Sequence, residues 1–92
     1  MRESAIERYL VQQVAKAGGK AYKWVSPGSP GVPDRIVMLK GQIRFVELKA
    51  SWGKLRLTQQ KRFAEIEIRS NQWVEIIKSK EEVDTFVREF LS

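Results

Sequence analysis

Apolar side chains recur at helical spacing in three separate stretches of the chain. Each stretch begins at a hydroxyl residue, Ser4, Thr58 or Ser79, and such residues are favoured at helix N-caps. In the first and third stretches a glutamate follows three residues later, which completes the capping-box pattern. The Gly18-Gly19 pair closes the first stretch, as is typical of helix C-termini. The pattern therefore predicts three helices.

Four short apolar segments separate these helices and have the length of strands. They span residues 21–25, 35–39, 42–49 and 73–77. Lys40-Gly41 joins the second segment to the third as a tight turn, which predicts a hairpin. The loop before this hairpin, residues 26–33, contains all three prolines and two of the six glycines, so we expect it to be irregular.

The predicted fold class is α/β, with the element order αβββαβα. The first three strands form an antiparallel meander, and the second helix is long enough for a crossover that leaves the fourth strand parallel to the third. We expect a mixed sheet flanked by helices, with the first and second helices on its faces. At 92 residues, the chain is predicted to form a single domain, 1–92.

The composition excludes several kinds of chemistry, because the sequence contains no histidine and no cysteine. Disulfides, thiolate zinc sites, cysteine nucleophiles and imidazole acid–base catalysis are all ruled out. Catalysis must then come from carboxylates, lysine, tyrosine or hydroxyls. A metal would need oxygen ligands, which favours Mg²⁺ or Mn²⁺. Nothing in the sequence indicates an organic cofactor.

No apolar run approaches the ~18 residues of a membrane-spanning helix, and the N-terminal residues are too charged for a signal peptide. We therefore expect no membrane partner and a cytoplasmic location, in a bacterial or phage-infected host cell. A 92-residue chain that starts at Met1 fits a compact genome of that kind.

The net charge of +6 is concentrated in the middle of the chain. Residues 16–62 hold eleven basic residues and two acidic ones, Asp34 and Glu47, for a local charge of +9. Residues 63–92 are acidic, with seven Asp/Glu against four Lys/Arg. Such a basic segment is typical of a protein that binds polyphosphate, and each carboxylate in it would repel that ligand. The two acids therefore suggest a specific chemical role.

The hairpin brings these acids together. Glu47 and Lys49 lie two apart on the third strand, so their side chains project from the same face. Counting outward from the turn pairs Asp34 with a residue near Glu47. Two carboxylates at close range need a cation or a raised pKa, and we predict that a divalent cation binds there. The carbonyl of Leu48 is a further candidate ligand.

Pro33-Asp34 and Glu47-Leu48-Lys49 resemble the PD-(D/E)xK nuclease signature, and the predicted αβββαβα order resembles the restriction-endonuclease-like core of that superfamily. More narrowly, the segments GVPD at residues 31–34, FVELKA at 45–50 and Thr58-Gln59-Gln60 resemble the VRR-NUC family. That family includes stand-alone domains of about this size encoded by phages and bacteria. The resemblance covers nearly the whole chain and implies metal-assisted hydrolysis of phosphodiester bonds.

The resemblance also implies roles for individual residues. Asp34 and Glu47 resemble the metal-binding carboxylates, and Lys49 resembles the lysine that orients the attacking water and stabilises the developing phosphorane charge. Glu7 resembles the acid of the first helix that reaches the metal site, although a capping-box role is the alternative. Glu3, one turn earlier on the same face, is the fallback.

A glutamine that follows the third strand is also implied by the resemblance. Gln59 is the favoured candidate because it begins its helix, and Gln60 is the alternative. In the loop before it, Lys54 and Arg56 are the main candidates for contacts with the DNA backbone. Trp52 is expected either to stack on a base or to pack at an interface. The candidates for secondary DNA contacts are Lys16, Lys20, Lys23, Arg35, Lys61 and Arg62.

The small size of the chain disfavours sequence-specific recognition, because no extra helix is available to enter a major groove. Recognition of DNA shape through phosphate contacts fits better. Two symmetric cuts in a four-way junction need two active sites, which a homodimer supplies. The stand-alone VRR-NUC members resemble Holliday-junction resolvases, so we expect a Mg²⁺- or Mn²⁺-dependent enzyme of that kind. The alternatives are a flap or nicking nuclease and a non-catalytic nucleic-acid-binding module.

Overall fold

The computed structural model describes all residues, Met1–Ser92. The elements, in chain order, are α1 (Glu3–Lys16), β1 (Lys20–Lys23), β2 (Arg35–Leu39), β3 (Gln42–Leu48), α2 (Leu57–Ser70), β4 (Val74–Ile77) and α3 (Lys80–Leu91). This is the predicted αβββαβα order, and the predicted α/β class is confirmed. No helix is both long enough and apolar enough to cross a bilayer.

The four strands form one mixed sheet in the order β1-β2-β3-β4. β1 and β2 pair antiparallel, as do β2 and β3, and β4 lies parallel to β3. Lys40 and Gly41 both have positive φ, 53° and 74°, and form the predicted tight turn of the hairpin. The turn fixes the register, with Leu39 opposite Gln42 and Arg35 opposite Val46.

The main core lies on one face of the sheet, beneath α1 and α3. It consists of apolar residues from the alternate positions of the strands and from the inner faces of these two helices: Ile6, Leu10, Val14, Ala21, Val37, Leu39, Val46, Leu48, Ile77, Val83, Phe86 and Phe90. Phe86 and Phe90 of α3 are almost fully buried, which assigns them to the core. Leu91 and Trp73 are exposed.

The second face of the sheet carries α2. Glu67 of this helix accepts a hydrogen bond from the Val74 backbone N–H (2.8 Å), and Phe63 is buried. The Trp24 and Phe45 rings also pack together, with centroids 5.5 Å apart. Because β3 alternates between faces, Phe45 and Glu47 point toward this side, whereas Val46 and Leu48 point into the main core.

Two of the three predicted N-caps are wrong. α1 begins at Glu3 with Arg2 as N-cap, so Ser4 lies inside the helix and no side chain caps it. α2 begins at Leu57 with Arg56 as N-cap, and Thr58 lies in the first turn. Ser79 caps α3 as predicted: its Oγ accepts a hydrogen bond from the Glu82 N–H (3.1 Å).

Candidate active site

Asp34 and Glu47 meet at the open end of the β2–β3 hairpin. The register places them one step beyond the Arg35–Val46 pair, and each carboxylate binds the other strand's backbone. The Asp34 N–H donates to Glu47 Oε1 (3.2 Å), and the Leu48 N–H donates to Asp34 Oδ2 (2.9 Å). Beyond the last paired residues, hydrogen bonds from backbone to side chain therefore connect the two strands in place of bonds between their backbones. These bonds hold both carboxylates in fixed positions.

Glu47 is buried, with 2% of its surface exposed, and its second oxygen faces two donors. Gln59 Nε2 donates to Glu47 Oε2 (2.8 Å), and Lys49 Nζ lies 3.4 Å from the same oxygen. A buried carboxylate requires such partners, because an isolated charge in the interior is strongly destabilising.

Gln59 connects the strand to the start of α2. Its side-chain Oε1 accepts hydrogen bonds from Lys49 Nζ (3.0 Å) and from the Arg56 backbone N–H (3.0 Å), while its Nε2 binds Glu47. One buried amide thus orients both charged groups and also satisfies a free N–H at the helix N-terminus. Gln60 instead lies at the surface and donates to the Leu55 carbonyl (3.1 Å), so the geometry brings Gln59 into the site.

The pKa of Glu47 is raised to about 7, mainly by burial and next by the nearby Asp34 carboxylate, whereas Lys49 acts in the opposite direction. The effect of Asp34 is the expected repulsion between two acids at close range. The pair therefore carries an unfavourable excess of negative charge near neutral pH, in spite of the lysine.

The two acids of α1 are placed differently. Glu7 Oε2 accepts a hydrogen bond from Arg35 Nε (2.8 Å), and the same guanidinium donates to the Ala21 carbonyl (3.1 Å). Glu3, one turn earlier, faces the site: burial raises its pKa, Asp34 raises it further, and Lys49 lowers it. Glu7 is thus held in an ion pair, and Glu3 is the α1 acid in electrostatic contact with Asp34 and Lys49.

The comparisons with known proteins agree with this geometry. A solved structure described as a VRR_NUC domain superposes with a TM-score of 0.81 over 94% of both chains, at 27% sequence identity. This chain has the VRR-NUC fold. The resemblance inferred from the PD/ExK motifs is therefore confirmed.

A second relative is "Putative nuclease p44" from Acyrthosiphon pisum secondary endosymbiont phage 1. It is 58% identical over 55 residues, which are 59% of this chain. The chain likewise spans about 59% of the length of that relative. No protein-family model matches the sequence.

The donor set at the end of the β2–β3 hairpin suits a hard divalent cation. Asp34 and Glu47 offer carboxylate oxygens at one point, and their mutual repulsion would be relieved by a positive charge. No cluster of three or more acidic side chains converges there. Mg²⁺ is commonly held by one or two carboxylates together with substrate phosphates, so two acids fit this metal.

The residues predicted to contact DNA fall into two groups. Lys54, Arg56 and Lys61 are exposed in the VRR-NUC domain. Arg35 and Arg62 are partly engaged: Arg35 binds Glu7 and the Ala21 carbonyl, and Arg62 donates to the Pro30 carbonyl and to Glu65. Trp52, with 72% of its surface exposed, lies in the loop between β3 and α2.

Three contacts of the site had no signal in the sequence. These are the bond from Lys49 to Gln59, the bond from the Arg56 N–H to Gln59, and the Glu7–Arg35 ion pair. The first and the third join elements that approach only through packing of the whole domain, and the second is a local contact whose N-cap, Arg56, is not a residue type that favours this position. Residue types and local spacing therefore could not reveal them.

The Glu7–Arg35 pair leads to a prediction about stability. Glu7→Gln is expected to lower the free energy of unfolding by about 1 kcal/mol. The reason is that the partly buried hydrogen bond from Arg35 would then end on a neutral amide oxygen instead of a carboxylate. Glu3→Gln, at an exposed position without a hydrogen-bond partner, is the matched control and should change it by less than about 0.5 kcal/mol. Urea unfolding followed by tryptophan fluorescence measures both. Equal effects would show that the Arg35 contact does not stabilise the fold.

Proposed function

We propose that this VRR-NUC domain is a nuclease: a Mg²⁺- or Mn²⁺-dependent, structure-selective DNA endonuclease of the Holliday-junction resolvase kind, acting in the cytoplasm. The observation that carries the proposal is the buried Glu47 carboxylate, held by Lys49 and Gln59 and placed against Asp34. A fold stabilised only by apolar packing would gain nothing from two acids in contact. The name of the phage relative and the VRR-NUC fold both support a nuclease.

Asp34 and Glu47 would hold the cation, with the Leu48 carbonyl as a further candidate ligand. When bound, the cation supplies Lewis-acid stabilisation of phosphate charge and activation of water. The protein itself fixes the positions of the carboxylate oxygens. Backbone N–H groups bind both carboxylates and the Gln59 amide binds Glu47, so these oxygens are in place before the substrate arrives. Such preorganisation avoids rearrangement during the reaction.

Lys49 provides the positive charge of the site. Its ammonium group is fixed by Gln59 Oε1 and Glu47 Oε2, and its side chain is only 13% exposed. An ammonium held at that point stabilises negative charge as it develops on a phosphate, and it donates a hydrogen bond to an attacking water. Glu3 and Glu7 are the two candidates for a supporting acid from α1.

Cutting a four-way junction at two symmetric positions requires two such sites, and we propose that a homodimer supplies them. The surface for this contact does not include Phe86 and Phe90, which are buried in the core. Trp73 and Leu91 are exposed and available to it, with 61% and 40% of their surfaces accessible.

The test is cleavage of labelled four-way junction, flap and continuous duplex by the purified protein with Mg²⁺, with Mn²⁺ or with EDTA. We expect paired symmetric cuts in the junction with either cation and none with EDTA. Sedimentation velocity of the same sample gives the oligomeric state. Cleavage of the flap alone would support a flap nuclease, and binding without metal-dependent cleavage of any substrate would support a non-catalytic module.

A further inference from the structure

Trp52 is the most exposed aromatic residue of the chain. Its exposed fraction is 72%, and its indole makes no hydrogen bond within the protein. The other two tryptophans are engaged: Trp24 packs against Phe45, and the Trp73 Nε1–H donates to Glu75 Oε1 (2.9 Å). An indole that neither packs nor forms hydrogen bonds does not stabilise the fold, so its exposed ring is available to a ligand.

The backbone around Trp52 is held against the active site. A tight turn, closed by the bond from the Gly53 N–H to the Ala50 carbonyl (2.8 Å), carries Trp52 at its corner. A Cβ at Gly53 would lie 3.3 Å from the Lys49 Cβ and 3.2 Å from the Ala50 oxygen, so a side chain there would crowd both. The glycine lets the turn lie directly on Lys49. Trp52 therefore lies in a turn that packs on the Lys49 side chain, three residues along the chain from that site lysine.

The surroundings of Trp52 favour nucleic acid as the ligand. Lys54 and Arg56 follow in the same loop, and both are exposed. The segment from residue 48 to residue 64 contains no acid. A flat aromatic ring beside a row of cations matches an exposed base with its flanking phosphates, because the ring stacks on the base and the cations attract the backbone.

An aromatic side chain stacks on a base only if one face of that base is open. In continuous duplex, neighbouring base pairs cover both faces, whereas a strand end, or a branch point whose arms are not stacked on one another, leaves a face uncovered. We propose that Trp52 stacks on an uncovered base at the branch point, and that this contact distinguishes branched DNA from continuous duplex. The proposal deepens the proposed nuclease function, and rests on it for the nature of the substrate.

The test measures binding in EDTA, with 2-aminopurine at the branch point of a four-way junction and in a matched continuous duplex. Trp52→Ala is expected to weaken junction binding about tenfold, the usual loss for one stacked base, and to leave duplex binding within about twofold. The wild-type protein should change the 2-aminopurine emission at the branch, and the variant should not. Tyr22→Ala, which removes another exposed aromatic side chain from β1, outside the site and the proposed dimer surface, is the matched control and should behave as the wild type.

Two further variants separate stacking from other roles. Trp52→Phe should retain part of the junction preference, and Trp52→Leu, which keeps an apolar side chain without the π-system, should not. Equal loss of junction and duplex binding, or no loss, would overturn the proposal. A change in the sedimentation of the free Trp52→Ala protein would also overturn it, because Trp52 would then be a protein contact.

This experiment distinguishes the proposal from the nuclease function on which it rests. If the wild type prefers the junction through Trp52 but cuts no DNA with metal, the nuclease function fails and the role of Trp52 stands. If the wild type cuts the junction and Trp52→Ala binds it normally, only the role of Trp52 fails.

Discussion

Asp34→Asn is expected to reduce DNA cleavage about a thousandfold, because loss of a metal-binding carboxylate removes several kcal/mol of transition-state stabilisation and each ~1.4 kcal/mol is a factor of ten in rate. The fold should persist, since the asparagine oxygen can still accept the hydrogen bond from the Leu48 N–H. DNA binding should be equal or stronger, because one negative charge near the phosphates is removed.

Asp84→Asn is the matched control for this variant. Asp84 is the other aspartate of the chain, lies on α3, and accepts a hydrogen bond from the Tyr9 hydroxyl (2.7 Å) that asparagine can also accept. Single-turnover cleavage of a labelled junction and binding in EDTA measure both proteins. Wild-type cleavage by Asp34→Asn would place the active site elsewhere, and loss of binding would show that Asp34 organises the DNA surface instead.

The hairpin that builds the site was predictable because its signals are local. The turn between β2 and β3 has only two residues, Lys40 and Gly41, and both adopt positive φ. Such a turn fixes the register of the two strands. Once the register is fixed, the strand period of two places Glu47 and Lys49 on one face and Asp34 opposite Glu47. The carboxylate pair and its lysine therefore followed from spacing alone.

The helix N-termini were less predictable because competing partners decide them. At α2, Thr58 has the residue type of an N-cap, but the Gln59 side chain binds the Arg56 N–H and starts the helix two residues earlier than predicted. At α1, the helix extends to Glu3, and Ser4 has no capping role. The preference of a residue type for the cap position is worth only ~1 kcal/mol, so one competing hydrogen bond, such as the one that Gln59 accepts at α2, can override it.

The position of Glu7 illustrates the same limit in the site. Helical spacing places Glu3 and Glu7 on one face of α1, and it cannot distinguish which of them approaches Asp34. Arg35, at the start of β2, forms an ion pair with Glu7. The Glu7 carboxylate is therefore already occupied by a partner within the fold. The distinction depends on a contact between residues 28 positions apart, which only the folded domain reveals.

Glu47→Gln is expected to change the pH dependence of stability of the metal-free protein. The pKa of Glu47 is raised from 4.5 in the unfolded chain to about 7 in the folded protein. Between these values the folded state keeps a proton that the unfolded state releases, so the free energy of unfolding falls as pH rises through this window. Well below pH 4.5 both states are protonated, and well above pH 7 both are ionised and the loss is complete. Its size is about 3 kcal/mol, since one pKa unit is ~1.4 kcal/mol.

The glutamine cannot ionise, so its contribution should be constant over this range. Relative to wild type, Glu47→Gln should become progressively more stable from pH 4.5 to pH 7, with no further change at higher pH. Urea unfolding in EDTA at several pH values measures the difference, and subtraction of the wild-type curve removes the titration of other groups. Glu89→Gln, at an exposed position on α3, is the matched control and should follow the wild type. If the free energies of unfolding of Glu47→Gln and wild type instead change in parallel with pH, the buried carboxylate titrates normally. The repulsion from Asp34 that favours a bound cation would then be absent.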